Sequence, residues 1–290
     1  MEKKTIYALG YFDGVHLGHQ ALLTACSDLA KCHGCTSGAV TFSGHPQQCV
    51  SGKAVPLINT DEDRRQLLLQ AVNTVTELPF TGELMAMPWQ SFLDMLVKEY
   101  HAAGFVCGSD FRFGCRGAGS AELLQSYCQG HNLACSVVPQ QYLDGIRISS
   151  THIRSLLEDG NVKEASRFLG HPHILTGTVQ YGKQLGRTIG FPTANLPYPA
   201  GLLSLPHGVY ACRAIAAGKS FNAITNIGTR PTVSGEGITV EAHLLNFSGN
   251  LYGKTMTLEF LDFVRPEQKF HTLAQLQEQI AKDTAFFQSL

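Results

Sequence analysis

The sequence lacks an excess of charge of either sign. Twenty-two Lys and Arg stand against 23 Asp and Glu, a formal net charge of −1. That excludes a broadly basic chain built to coat nucleic acid. It also lacks any apolar run approaching the ~18–20 residues of a membrane-spanning helix. Behind Met1-Glu2-Lys3-Lys4 comes a short strand-like run rather than the longer apolar stretch of an export signal. Cys32-His33-Gly34-Cys35 is a C-x-x-C unit, yet the second C-x-x-C or close histidine pair of a zinc ribbon is missing. The nine cysteines are odd in number, and eight of them precede residue 171. They read as ordinary reduced thiols of a cytoplasmic protein, with metal or redox work by Cys32 and Cys35 as the alternative.

What is present supports a folded chain. Hydrophobic residues make up 44% of the 290, enough for a real core. Glycine, at 29 residues, exceeds the usual ~7% and points to tight turns or close backbone approach to phosphate. Up to about residue 170, short apolar runs alternate with amphipathic segments. Strands are expected at Thr5–Tyr11, Ser37–Phe42, Val72–Leu78, Phe105–Gly108 and Leu133–Val138. Helices are expected at His19–Lys31, after Thr60, and at Trp89–Tyr100, Ser120–Gln129, Ser150–Glu158 and Asn161–Leu169. Such alternation implies a parallel sheet covered by helices on both faces. After Pro172 the texture becomes all-β, with strands separated by Gly, Pro, Asn and Ser, and a last helix at Leu273–Phe287. The expected fold is therefore α/β plus β: a Rossmann-like domain over 1–170 and a small β-barrel with a C-terminal helix over 171–290. The first part carries 13 basic and 16 acidic residues, the second 9 and 7, so neither is a polyelectrolyte.

Three segments of the first part carry chemistry. Gly10-Tyr11-Phe12-Asp13-Gly14-Val15-His16-Leu17-Gly18-His19-Gln20 joins the first strand to the first helix. A strand-to-helix junction offers free N–H groups and a positive dipole end to an anion, and Gly14 and Gly18 permit close approach. His16 and His19 can stabilise charge on a transferring phosphoryl group. Gly108-Ser109-Asp110-Phe111-Arg112-Phe113-Gly114 is the second segment. The third is Ile148-Ser149-Ser150-Thr151-His152-Ile153-Arg154, where Ser150 or Thr151 can cap a helix and Arg154 can pair with phosphate. In the second part, Gly182, Gly186 and Gly190 lie within Gly182–Asn195 and suit a loop folded over phosphates; Thr193 and Asn195 offer neutral oxygens for a hydrated Mg²⁺. Glu241 stands in an apolar strand, where an idle carboxylate is costly and a proton acceptor makes sense. Gly218-Lys219-Ser220 and Gly253-Lys254-Thr255 read as G-K-[ST], but Arg213 and Ser248 stand where a P-loop needs its first glycine.

Together these segments resemble the bacterial bifunctional riboflavin kinase/FMN adenylyltransferase (FAD synthetase) family. The first part is similar to the H-x-G-H nucleotidyltransferases, and the loops at 108–114 and 148–154 resemble the family's G-x-D-F-R-F-G and I-S-S-T-x-I-R. In the second part, Gly186-Arg187-Thr188-Ile189-Gly190-Phe191-Pro192-Thr193-Ala194-Asn195 resembles the riboflavin kinase signature. Gly208-Val209-Tyr210, Asn226-Ile227-Gly228-Thr229-Arg230-Pro231-Thr232, Val240-Glu241-Ala242-His243-Leu244 and Phe263–Phe270 also resemble kinase segments. The resemblance implies two ATP-dependent steps, riboflavin to FMN in the barrel and FMN to FAD in the first domain. It implies Glu241, His16, His19 and Arg154 as catalytic residues. Phosphate and ATP would be held by Gly10, Phe12, Asp13, Gly14, Gly18, Ser149, Ser150, Thr151, Gly182, Gly186, Arg187, Gly190, Pro192, Thr193 and Asn195. Flavin would be held by His45, Pro46, Asp110, Phe111, Phe113, Gly208, Tyr210, Arg265, Glu267 and Phe270. Mg²⁺ would enter with ATP at Thr193 and Asn195. The partners implied are ATP, riboflavin and FMN, with no nucleic acid or membrane, on a monomer or weak homo-oligomer. One departure stands out: Gly44 replaces the first proline of the family's F-x-P-H-P, leaving Phe42-Ser43-Gly44-His45-Pro46. It keeps open a kinase whose adenylyltransferase half is weak. A flavin-binding sensor without turnover is the remaining alternative.

Overall fold

The computed structural model describes residues 4–43, 55–182, 186, 190–232 and 235–287. His45, Pro46 and Arg187, together with Gly44, lie outside them. Contacts divide the chain into two units. The first is Met1–Val55 with Asp61–Ser150; the second is Thr151–Leu290 with Pro56–Thr60. The two helices before residue 170 thus group with the second unit.

In the first unit, β1 (Thr5–Leu9), β2 (Thr36–Ser43), β3 (Thr74–Pro79), β4 (Ala102–Gly108) and β7 (Ala134–Val138) form a sheet in the order β3-β2-β1-β4-β7. Every pairing is parallel. Strand alternation sorts its core. Ile6 and Ala8 of β1 face one layer with Leu23 and Cys26 of α1 (Leu17–Cys32) and Leu68 of α2 (Asp61–Leu69). Tyr7 and Leu9 face the other, with Phe92, Leu93 and Leu96 of α4 (Trp89–Glu99) and Leu124 of α5 (Ala121–Gly130). Both layers are apolar because a parallel sheet must be covered on both faces. The acidic first turn of α2, Asp61, Glu62 and Asp63, suits the positive end of its dipole.

Smaller elements were not legible in the sequence: the one-turn α3 (Gly82–Ala86), the ribbon β5 (Arg112–Phe113) with β6 (Gly119–Ser120), and a hairpin of β8 (Tyr142–Leu143) and β9 (Ile146–Arg147). That hairpin turns on Asp144 and Gly145, both at positive φ, as a two-residue turn matched to strand twist requires.

The second unit begins with α6 (Ser150–Glu158), whose first residue belongs to unit one, and α7 (Val162–Leu169). Asn161 caps α7 and left-handed Gly170 ends it. Six antiparallel strands follow: β10 (His173–Thr178), β11 (Ala194–Pro197), β12 (Gly208–Ala216), β13 (Lys219–Thr232), β14 (Gly235–Leu244) and β15 (Thr255–Pro266), in the order β10-β15-β12-β13-β14-β11. The Gln180–Asn195 bridge joins the two outer edges, so the barrel is nearly closed. α8 (Leu273–Phe286) is fastened by Asp283, 3% exposed, which accepts 2.9 and 2.7 Å bonds from Nε and Nη2 of Arg265. Breaking one side of so enclosed a pair costs ~3–5 kcal/mol. Both G-K-[ST] triplets stand at turns: Gly218 between β12 and β13, Gly253 just before β15, each at positive φ.

His173 opens β10 fully enclosed, its Nδ1 without a hydrogen-bond partner and its ring beside Phe260. Burial, with a smaller push from His171, lowers its pKa from 6.5 to about 3. The unfolded chain therefore binds a proton that the folded chain refuses. Stability is full above pH ~6.5 and falls on acidification toward pH ~3, by at most ~1.4 kcal/mol per pH unit. His173→Phe should flatten this slope. Urea midpoints of variant and parent between pH 6 and pH 4 measure it, and parallel slopes would count against it.

Candidate functional site

In the first unit, β1 and β4 lie side by side while their continuations run to opposite sides of the sheet. A ligand crevice is expected outside the C-terminal ends of such strands. A cleft of about 370 Å³ is found there. Leu9, Gly10 and Tyr11 line it from β1, Gly108, Asp110 and Phe111 from β4, and Ser149 and Ser150 from the start of α6.

The turn after β1 is conformationally costly. Phe12, Gly14 and Val15 all have positive φ, the last a β-branched residue at 39°. This turn delivers His16 to the N-cap of α1, where its Nδ1 accepts the His19 N–H at 3.2 Å. Accepting at Nδ1 leaves the neutral ring's proton on Nε2. The His16 and His19 rings stack at 3.6 Å and 12°, with Phe12 edge-on to His19 at 5.2 Å. Gly18 makes room, since a Cβ there would stand 3.2 Å from the His16 ring. Burial and the neighbouring His16 hold the His19 pKa well below 6.5, so its ring is neutral at physiological pH. Its Nδ1 is buried without a hydrogen-bond partner. Ser150 Oγ donates to the Asp13 carbonyl at 3.0 Å and ties the start of α6 to this turn.

A brace under the cleft was not foreseen from the sequence. Arg64 is fully buried, 4.5 Å from the centre of the Tyr11 ring, donating to the Phe42 carbonyl at 2.8 Å and pairing with Asp61 at 2.9 Å. Burial pushes the Tyr11 hydroxyl up to about 12, against the opposing pull of Arg64. Arg147 of β9 pairs with Asp110 across the cleft mouth.

The barrel site is a row set by strand register. Glu241 of β14 pairs with Asn195 of β11 on one side and Asn226 of β13 on the other. Asn226 pairs with Val209, and Val209 with Arg265. Directly opposed residues share a face, so these side chains stand in one line across five strands. Val240, Ala242 and Leu244 are buried, whereas Glu241 and His243 are half-exposed on the other face. The expected cost of enclosing the Glu241 carboxylate therefore does not arise: alternation turns it away from the core. Asn226 Nδ2 donates to Glu267 at 3.3 Å. Gly182 lies against the Asn195 amide, where a Cβ would come within 2.5 Å. A separate cleft of about 300 Å³ is lined by Pro192, Thr193 and Ala194 on one side and Phe247–Tyr252 on the other.

Matches to known families follow this division. The family model for FAD synthetase matches residues 1–152, and that for riboflavin kinase matches 169–290. The bifunctional riboflavin kinase/FMN adenylyltransferase of Bacillus subtilis (strain 168) is 34% identical, over 97% of this chain and 91% of its own. That of Escherichia coli (strain K12) is 36% identical over 96% and 90%. The chain belongs to the bifunctional riboflavin kinase/FMN adenylyltransferase family. It carries both halves, and the expectation of a two-activity enzyme of flavin cofactor synthesis stands. A crystal structure described as a macrolide-efflux protein from Streptococcus pneumoniae shares the fold, at 30% identity and TM-score 0.85 over 98% of this chain and 93% of that one. Among the described residues no helix is long and apolar enough to cross a membrane.

The sites gather most, not all, of the expected residues. Gly10, His16, Gly18, His19, Asp110, Phe111, Ser149 and Ser150 line the first cleft. Phe12, Asp13, Gly14 and Phe113 are buried beneath or beside it. Thr151 and Arg154 group with the second unit, and Arg154 Nε donates to the Pro56 carbonyl at 2.9 Å. In the barrel, Tyr210 is fully buried and its hydroxyl donates to the Pro206 carbonyl at 2.6 Å. Gly208 lies against the Arg265 carbonyl. Arg265 is committed to Asp283, 5.9 Å from the Phe270 ring. Gly190 holds positive φ, and Gly186 O accepts from Phe191 N at 2.8 Å. The wall at Phe247–Tyr252 was missed; its only sequence signal is a turn-rich stretch between strands.

Gly114 supplies a test of the first site. It has φ 70°, and a Cβ would meet Trp89 Cα at 2.6 Å. Gly114→Ala should destabilise the loop by ~1–3 kcal/mol. FAD formation from FMN should fall while FMN formation from riboflavin persists. Rates for the two reactions, measured on one preparation, check this; an equal loss in both would contradict it.

Proposed function

We propose how the two sites divide the work. In the barrel, the row of Asn195, Glu241 and Asn226, with Thr193 two residues before Asn195, receives riboflavin and Mg²⁺·ATP. The 5′-hydroxyl attacks the γ-phosphate, Glu241 takes the hydroxyl proton, and ADP leaves. Thr193 and Asn195 offer neutral oxygens that fit a Mg²⁺ keeping its waters and phosphate ligands. The cleft walled by Phe247–Tyr252 then suits the nucleoside end of ATP. Glu267, bonded to Asn226, stands on the flavin side. Arg265 acts through Asp283, holding α8 rather than touching flavin. The observation that carries this reading is the register placing Glu241 between Asn195 and Asn226, on the face away from the core.

In the first unit, the FMN phosphate attacks the α-phosphate of a second ATP, and pyrophosphate leaves. His16 presents Nε2–H, and His19 is a neutral ring stacked upon it. The pair acts as hydrogen-bond donors to developing charge. The N-terminus of α1, with the turn at Asp13 and Gly14, holds phosphate through backbone N–H groups. Asp110 and Phe111 form the flavin side, and Arg147 shuts against them. The cysteines among the described residues are unpaired thiols, which supports a cytoplasmic location.

Chromatography of products from riboflavin, ATP and Mg²⁺ tests both halves together. His19→Ala should still make FMN, with FAD formation down ~100-fold or more. Glu241→Gln should lose FMN formation by ~100-fold or more yet convert supplied FMN to FAD at the parent rate. FMN production undiminished in Glu241→Gln would remove the assigned proton acceptor.

A further inference from the structure

The β11–β14 ladder ends at the pair Ala194–Ala242. One residue earlier stands Thr193, and before it Phe191 and Pro192, already clear of the sheet. Pro192 has no backbone N–H, so its carbonyl is the only main-chain polar group it can be held by. His243, one residue past the last pair on β14, holds it: the ring Nδ1 donates to the Pro192 carbonyl at 2.9 Å. The same ring receives Phe191 edge-on, 5.3 Å between centres and 77° between planes. Phe191 N in turn donates to Gly186 O at 2.8 Å.

We propose that His243 is a positioning residue of the kinase site, clamping the Phe191–Pro192 strap so that Thr193 faces the nucleotide. The proposal rests on the kinase reading of the barrel. His243 and Glu241 are two residues apart on one strand and share its outward face. One strand therefore fixes both reacting sides, the proton acceptor through Glu241 and the nucleotide strap through His243. The side chain continues the sheet's hydrogen bonding one step beyond where the proline interrupts it. His243 touches neither ATP nor flavin in this role. Its loss acts on where Thr193 sits, so it is felt in ATP binding and not in flavin binding.

The full chain supplies its own control, because adenylylation of FMN is catalysed by the other unit. His243→Leu removes the donor at similar bulk. It should raise KM for ATP in FMN formation ~5–10-fold, the scale of one lost hydrogen bond that positions a ligand. KM for riboflavin and the rate of FAD formation from supplied FMN should stay within about twofold. His243→Asn puts an amide N–H on the same Cγ that carries Nδ1 and should restore the ATP KM to within about twofold of the parent. His243→Gln carries its amide one bond further out and should remain impaired. That Asn–Gln contrast can be read even if the leucine variant does not fold. An unchanged ATP KM in His243→Leu, equal values for Asn and Gln, or an equal rise in the riboflavin KM would each overturn the clamp. A parent chain that makes no FMN would refute the kinase reading itself and the clamp with it.

Discussion

Strand register is the constraint on which both sites depend. In a sheet the side-chain period is two, so a slip of one residue exchanges every inward side chain for an outward one. Pinned register in the barrel sets Asn195, Glu241, Asn226, Val209 and Arg265 in one line. What pins it is the apolar set on the opposite face: Val240, Ala242 and Leu244 on β14, Ala194 and Leu196 on β11, Ile227 on β13. A slip would bury the Glu241 carboxylate and expose a valine and an alanine. The core thus specifies the site without touching it. In the first unit the parallel pairing of β1 with β4 does the same for a different geometry, because it brings two strand ends to one level and lets the loops beyond them share a cleft.

With a net charge of −1, this chain carries no overall excess of positive charge to gather ATP. Recognition has to be local, and the first cleft shows how. Its proposed phosphate donors are backbone N–H groups at the start of α1 and two stacked imidazole rings, of which His19 is a poor cation. His16 is fixed by capping the helix through Nδ1, and His19 is kept neutral by enclosure and by His16. A neutral donor that is already oriented needs no solvent reorganisation when charge develops on phosphorus, and it holds product pyrophosphate less tightly than a fixed cation does. The fully buried charge nearby, Arg64, lies under the Tyr11 ring, where it stiffens the turn.

Most of the architecture was legible because two periodicities and a set of turn residues state it outright. The parallel sheet followed from apolar runs alternating with helical spacing, and the barrel from short strands between Gly and Asn clusters. The glycine-rich motifs were legible as well, since close approach and positive φ leave few residue choices. Side-chain commitment was not. Arg265 looks like a free cation until Asp283, eighteen residues on, claims it. Tyr210 looks like a flavin contact, yet it is fully buried and its hydroxyl donates to the Pro206 carbonyl. Glu241 looked costly because its neighbours are apolar, yet in a strand the neighbours in sequence point the other way. Such commitments depend on tertiary partners and on strand facing, which the sequence encodes only once the register is known. Short elements such as the 142–147 hairpin escaped for another reason: they hold too few residues for any period to show.

The two units use opposite ends of the same hydrogen-bonding logic. A parallel sheet has its backbone groups satisfied internally and its faces covered, so chemistry is pushed to the loops at the strand ends, where helix N-termini supply donors. A small antiparallel barrel fills its interior with side chains and leaves its outer face free, so chemistry can sit mid-strand, as proposed for Glu241. Loop chemistry depends on strained turns, and here the strain at Phe12 and Val15 is held by Ser150 bonding to Asp13 and by the His16 cap. Mid-strand chemistry depends instead on what happens where a strand leaves the sheet. At Pro192 the ladder runs out of donors, and the polypeptide beyond it carries the glycines proposed to meet ATP. In the proposed clamp, Phe191 and Pro192 are held less by the loop itself than by His243 of the neighbouring strand, which reaches past the last ladder pair.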